Sequence, residues 1–403
     1  MMDFDPFGTV YLQDPYPFFE RYQREAPVFY SEAIDHWVVS RYDDVKQVLR
    51  DAERFSNQNT LTPVAPWSAE VHRVLEEGGY RARPAMVGTD PPYHTRSRKL
   101  LNQAFTPRRV SALEPQIRRL AEDRLDRLVP NGEMDLLRDF TYELPAQVLF
   151  LLLGVPEEDV ALVKLGADHR LLLVWGRPTP EHQVELARSL VTFWHHSERL
   201  VERRLHDPGD DLTSELIRLR GGDDSVLSLA EITSLVFGLL FAGHETTTAF
   251  LTNAVRQLLA RGSWPELVRN PAAIPVLVEE LLRLDTSVIG WRRLAIRDTT
   301  IGGVPLPAGA RVLVLLGAAN HDPARFHDPG ALDPGRPNLK DHLAFGFGIH
   351  YCLGAALARL EAKVVLECLG SRLPNLRLVP DQRLEFHPNV AFRGPRSLLV
   401  RWD

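Results

Sequence analysis

The stretch Phe345-Gly346-Phe347-Gly348-Ile349-His350-Tyr351-Cys352-Leu353-Gly354 decides how the rest of the chain is read. It is a loop rich in glycine and aromatic residues. An apolar segment of helical period, 353–369, begins directly after its cysteine. Cys352 therefore stands at a predicted helix N-terminus, where the macrodipole and free N–H groups favour a thiolate over a thiol. Glycines at 346, 348 and 354 let the backbone take strained conformations and lie close against a flat partner. A lone cysteine is ordinarily a small buried apolar residue. Cys368, well inside the helix that follows, takes that reading; Cys352, with this loop around it, does not.

Composition narrows the chemistry further. The 403 residues carry 47 basic and 53 acidic side chains, a net charge of −6 with no long run of one sign. Nucleic acid is thus not expected as a partner. Two cysteines are too few for a disulfide framework, a thiolate zinc site or an iron–sulfur cluster. Residues 1–17 are acidic and contain proline, unlike a signal peptide. The most apolar run, 232–242, falls short of the roughly 20 residues a membrane helix needs. These features predict a soluble, cytoplasmic protein with no membrane association.

No linker or repeat divides the sequence, so residues 1–403 are expected to form a single domain. Helical periodicity dominates 95–282, clearest in 112–128, 141–153 and 181–205. Strand signals are fewer. Segments 27–30 and 36–40 read as a hairpin, 292–296 and 311–316 flank a turn-rich stretch, and 384–386 with 397–402 read as a last short sheet. The fold class is mainly α with small β-sheets. Ser228 and Glu231 form a capping-box pattern, and a helix is predicted from there to about Arg261, stopped by Gly262. Its middle is apolar nearly all round, so it should cross the core. Buried polar groups are costly unless paired, which singles out Ala242-Gly243-His244-Glu245-Thr246-Thr247-Thr248 within it.

The opening loop resembles the haem-binding signature of the cytochrome P-450 family: Phe, two spacers, Gly, a spacer, Arg or His, a spacer, Cys, a spacer, Gly. Phe345, Gly348, His350, Cys352 and Gly354 fill every position. The resemblance implies a triangular-prism-like helical domain with a long central helix across haem b (iron protoporphyrin IX). It implies Cys352 as the axial ligand of the iron, its thiolate favouring O–O cleavage. Propionate contacts would come from His350, from His94 and Arg98 (four apart on a predicted helix), and from Arg293.

Other motifs follow in the family's order. Glu280 and Arg283 match its Glu-x-x-Arg pair, with Arg336 as the second arginine; all three are read as structural and needed for haem incorporation. Ala242-Gly243-x-Glu245-Thr246 is similar to the oxygen-binding motif, in which Glu245 and Thr246 form an acid–alcohol proton relay. The His-Glu pair also invites a zinc reading, but a metalloprotease helix needs a second histidine at 248, where Thr248 stands. One departure is plain: after the Glu-x-x-Arg helix the family usually has a proline, whereas this chain has Asp285-Thr286-Ser287-Val288-Ile289-Gly290.

The function implied is a monooxygenase that inserts one atom of O2 into an apolar, medium-sized organic molecule by hydroxylation or epoxidation. Electrons are expected from a separate ferredoxin and ferredoxin reductase drawing on NAD(P)H, docking near Cys352, since the chain leaves no room for a flavin domain. The protein is expected to be monomeric. A peroxygenase, a haem-thiolate isomerase and a haem-based gas sensor are the rival readings; the acid–alcohol pair weighs against the first, and no output module is visible for the last. The substrate pocket is expected to draw on 57–86, the turn 171–180, Leu239, Ala242, Val288, Ile289, Val390, Ala391 and Phe392, with Trp67, Trp175 and Phe392 as lids. Arg170, Arg177 and Arg393 are candidates to meet a substrate carboxylate, against the commoner role of bracing backbone.

Overall fold

Alternating β-branched and aromatic residues form strands where one face can be buried, and these decide the sheets in the computed structural model, which describes residues 2–83 and 86–403. The strands are β1 Val28–Ser31, β2 His36–Val39, β3 Phe55–Ser56, β4 Glu133–Asp135, β5 Trp291–Ala295, β6 Thr299–Ile301, β7 Val304–Leu306, β8 Arg311–Val314, β9 Arg377–Leu378 and β10 Leu399–Arg401. A five-stranded sheet has the order β1-β2-β8-β5-β3, with β2 and β8 parallel and the other pairs antiparallel. β4-β10-β9 form a second sheet, and β6 and β7 a hairpin.

The described chain divides into two compact units. The first comprises Met1–Ser56, Ser111–Leu144 and Thr246–Asp403 and holds every strand. Its sheet buries Val39, Val45, Ala295, Val312, Val314 and Phe326 in one apolar cluster. Three helices matter for the site: Glu245–Ala260, Ile274–Leu284 and Ala355–Arg372. The second unit comprises Asn57–Val110 and Pro145–Glu245 and is helical. Aromatic rings fill its core: Phe237 meets Phe193 at 4.7 Å and Trp194 at 5.4 Å between centroids. Among the described residues, no helix is long and apolar enough to cross a membrane.

The hairpin 27–40 and the strands expected at 292–296 and 311–316 agree with the sequence reading, and the structure adds that β5 and β8 pair with each other. Three expectations need correction. The helix predicted from Ser228 to Arg261 is two helices, Leu229–Ala242 and Glu245–Ala260, interrupted at Gly243 and His244. Glycine is a poor helix former, and a Cβ at Gly243 would stand 2.8 Å from Leu149 Cδ1, so close packing requires the residue that weakens the helix. The last sheet lacks 384–386, where only an isolated bridge joins Phe386 to Pro395. The turn expected at 171–180 between two helices is shorter, since 171–175 belong to the helix Val160–Trp175 and the next helix starts at Pro180. Pro84 and Ala85, part of the pocket lining expected from 57–86, lie outside the described residues.

Candidate active site

In the first unit the cysteine loop is shaped by two left-handed glycines. Gly346 has φ +70° and Gly348 φ +76°, and a Cβ on Gly348 would lie 2.6 Å from the Leu49 carbonyl oxygen. The loop closes on itself through Cys352 N–H to Phe345 O at 3.0 Å and Tyr351 N–H to Gly348 O at 3.1 Å. Cys352 is partly exposed, two residues before the N-cap Gly354 of Ala355–Arg372. Arg359, one turn into that helix, lies 4.5 Å over the Phe345 ring and donates to Glu279 at 2.9 Å. Burial alone would raise the Glu279 pKa, but hydrogen bonds from Arg359 and His342 bring it down to about 2. Nothing in the sequence marked Glu279, His342 and Arg359 as the brace of this loop. Cys368 is buried and inert by contrast: burial pushes its thiol up to about 11.

The Glu-x-x-Arg motif is fully buried. Arg283 donates to both carboxylate oxygens of Glu280, at 2.8 and 2.7 Å, and Arg336 Nε donates to Glu280 Oε1 at 3.0 Å. The Asp333 N–H adds a further bond to Oε1 at 3.0 Å. Arg283 also donates to the carbonyls of Asn320, Pro329 and Ala331. The motif thus ties a helix to the loop 329–336 while satisfying every charge. Arg293, on β5, is buried with Nη1 donating to Arg292 O at 2.8 Å. His350 is half-buried. Thr248 donates to Thr141 O at 3.1 Å, and Thr252 Oγ1 lies 2.8 Å from Thr141 Oγ1, so the threonine run after Thr246 packs that helix.

In the second unit the capping box forms as expected: Ser228 N–H donates to Glu231 at 2.7 Å and Glu231 N–H to Ser228 Oγ at 3.2 Å. Ala242 is exposed, and Leu239 is half-buried on the same helix. His94 and Arg98 share one face of Tyr93–Ala104. Burial lowers the His94 pKa, and the Arg98 charge lowers it further.

Glu245 has partners that the sequence reading missed. Lys164, 3% exposed, bonds its carboxylate and also donates to Asp168 at 3.1 Å. His244 is wholly buried against Phe150, its Nε2 3.2 Å from Glu245 Oε1. Burial, then the Lys164 charge, holds its pKa well below the usual histidine range, so the imidazole is neutral. Donor atoms of Asp168, His244 and Glu245 lie within 4.8 Å of one another, a spacing that a metal would accept; the Lys164 ammonium already supplies the positive charge there. A charged pair four apart, Lys164 and Asp168, in the largely apolar helix Val160–Trp175 was the available signal.

The pocket candidates divide. Ile289, Val390, Ala391 and Phe392 are buried, and Val288 is half-buried and bridged to Phe392. Trp175 is 1% exposed and stacked on Phe241 at 5.4 Å, so it is core and no lid. Trp67 donates to Leu173 O at 3.2 Å. Arg170 donates to Phe237 O and lies over the Phe237 and Phe241 rings; Arg393 is buried on backbone carbonyls. Both brace structure.

A glycine- and aromatic-rich cysteine loop at a helix start, a buried Glu-Arg-Arg knot and a broken helix carrying an acid beside an alcohol together define a haem-thiolate class of enzyme. The family model of cytochrome P450 matches residues 274–385. Mycinamicin IV hydroxylase/epoxidase of Micromonospora griseorubida is 38% identical over 95% of this chain and 93% of its own. The 6-deoxyerythronolide B hydroxylase of Saccharopolyspora erythraea is 37% identical over 92% and 91%. Among solved structures, cytochrome P450 CREJ in complex with (4-ethylphenyl) dihydrogen phosphate superposes with a TM-score of 0.94 at 39% identity, covering 97% of this chain and 98% of that one. The chain belongs to the cytochrome P450 family and is a haem monooxygenase of that family.

Proposed function

We propose that this chain hydroxylates or epoxidises an apolar, medium-sized organic molecule, with electrons from a separate ferredoxin and its NAD(P)H-dependent reductase. The named activities of two relatives, mycinamicin IV hydroxylase/epoxidase and 6-deoxyerythronolide B hydroxylase, support that reaction type. Haem, when bound, supplies the activation of dioxygen.

The donor set fits that group: one sulfur for the iron, and cationic side chains for two propionates. Cys352 would hold the iron; its half-exposed position in a loop fixed by Gly346 and Gly348 is the observation that carries the reading. His350, Arg293, His94 and Arg98 would bind the carboxylates, where a guanidinium can bond both oxygens of one group. Glu245 and Thr246 would hold and pass protons at a carboxylate and a hydroxyl, with Lys164 fixing the acid between deliveries. Val288, Phe392, Leu239 and Ala242 would orient the substrate and exclude water. The exposed Tyr351 and Ile349 beside Cys352 offer the docking face for the ferredoxin.

The test is Cys352→His with haem supplied. The wild-type ferrous protein should give the long-wavelength carbon monoxide band of a thiolate ligand, and the variant should lose it. Retention of the band in the variant refutes the ligand assignment. Turnover with NAD(P)H alone refutes the need for a ferredoxin.

A further inference from the structure

The missing family proline left open what fixes the segment after the Glu-x-x-Arg helix. A buried polar cage stands there. Asp285, 1% exposed, accepts from Tyr16 Oη at 2.8 Å and Gln257 Nε2 at 2.9 Å, and it also bonds Arg256. Arg393 Nε lies 3.7 Å from its Oδ1. Burial alone would raise the Asp285 pKa, but Arg256 and Arg393 hold it below the usual range, so the carboxylate is charged. Arg393 in turn donates to the carbonyls of Leu12 and Gln13 and lies 4.0 Å over the Phe386 ring.

Directly in front of the cage, two chain segments are zipped together. Arg393 N–H donates to Ser287 O and Ile289 N–H to Ala391 O, both at 2.8 Å. Val288 bridges to Phe392, and Asn389 Oδ1 accepts from Ala391 and Phe392 N–H, both at 2.9 Å. A Cβ on Gly290 would lie 3.0 Å from Val390 O, so the backbones touch. The pairing is antiparallel, so Asp285 at the start of one segment and Arg393 at the end of the other stand at the same end of the zipper, and one buried ion pair closes that end.

We propose that Asp285 and Arg393 are positioning residues that lock segments 285–290 and 389–393 into one bracket and so fix the side chains presented to substrate. This rests on the reading above that Val288 and Phe392 line the substrate site. A proline stiffens one strand by fixing its own φ; an ion pair across two strands fixes their mutual register, which is what a binding surface needs.

The test uses the haem-loaded full chain and two azole probes read by the Soret shift. Imidazole is small enough to contact little beyond the iron, whereas 4-phenylimidazole must pack against pocket walls. Asp285→Asn keeps shape and removes charge. It should weaken 4-phenylimidazole about tenfold or more while imidazole and the carbon monoxide spectrum stay put. Arg393→Gln should match it, and the double variant should be no worse than either single one. Arg256→Lys, which keeps a cation beside Asp285, should stay near wild type, a contrast that a general loss of packing would not give. Should Asp285→Asn fail to accumulate, Arg393→Gln, which removes the other charge of the same pair, carries the comparison alone. Equal losses for both azoles, no loss for either, or additive effects overturn the bracket. A wild type without the thiolate carbon monoxide band overturns the proposed function itself, which is a separate outcome.

Discussion

Glu280→Gln is the perturbation whose size the structure fixes most firmly. The carboxylate and Arg283 are both 0% exposed, and Arg336 is 4% exposed. Glutamine fills the same space but leaves two buried guanidiniums facing a neutral amide. Breaking a buried pair from one side costs about 3–5 kcal/mol. For a chain of 403 residues, unfolding entropy near the transition is about 0.8 kcal/mol/K, so a loss of that size lowers Tm by about 5 °C. Differential scanning calorimetry of the haem-loaded protein measures this, with the Soret-to-protein absorbance ratio reporting haem content, which should fall. Glu266→Gln is the control: its bond to Arg269, at 2.7 Å, joins side chains 67% and 69% exposed, where pairs contribute little. If the two variants melt together, the buried knot is not holding the structure and the argument fails.

Three further outcomes follow from single contacts. Gly348→Ala should cost about 1–2 kcal/mol from its left-handed φ, plus the clash with Leu49 O, and should lose more stability in urea melts than Gly346→Ala, which has open space around it; equal losses would remove the clash. Glu361, in Ala355–Arg372, is wholly buried with no hydrogen-bond partner among the described residues, and burial raises its pKa well above the usual carboxylate range. The folded state therefore keeps the proton while the unfolded state loses it, so each pH unit above the unfolded pKa costs about 1.4 kcal/mol until the folded pKa is reached. Glu361→Gln should gain on wild type as pH rises from about 5 to 7; parallel stability curves would count against it. Lys164→Met removes the ammonium shared by Glu245 and Asp168. Coupled turnover should fall about tenfold with a larger solvent isotope effect, and unchanged values for both would free Glu245 from that control.

The sequence by itself determined whatever depends on a few residues close along the chain. The cysteine loop, the capping box at Ser228, the stop at Gly262 and the pairing of Glu280 with Arg283 are local patterns, because helix geometry and left-handed turns constrain neighbours directly. Arg336 was legible only through its motif, since 56 residues separate it from Glu280.

Tertiary structure alone decided the rest. Lys164 meets Glu245 across 81 residues, and Tyr16 meets Asp285 across 269. Neither charge nor periodicity specifies which of 47 cations reaches a given carboxylate; the packing of whole helices does. The same holds for Trp175, an apparent lid until Phe241 is seen stacked on it, and for the interruption at Gly243, where Leu149 demands a residue without a side chain. Burial is a property of the assembled fold, and burial sets which of these groups must be paired.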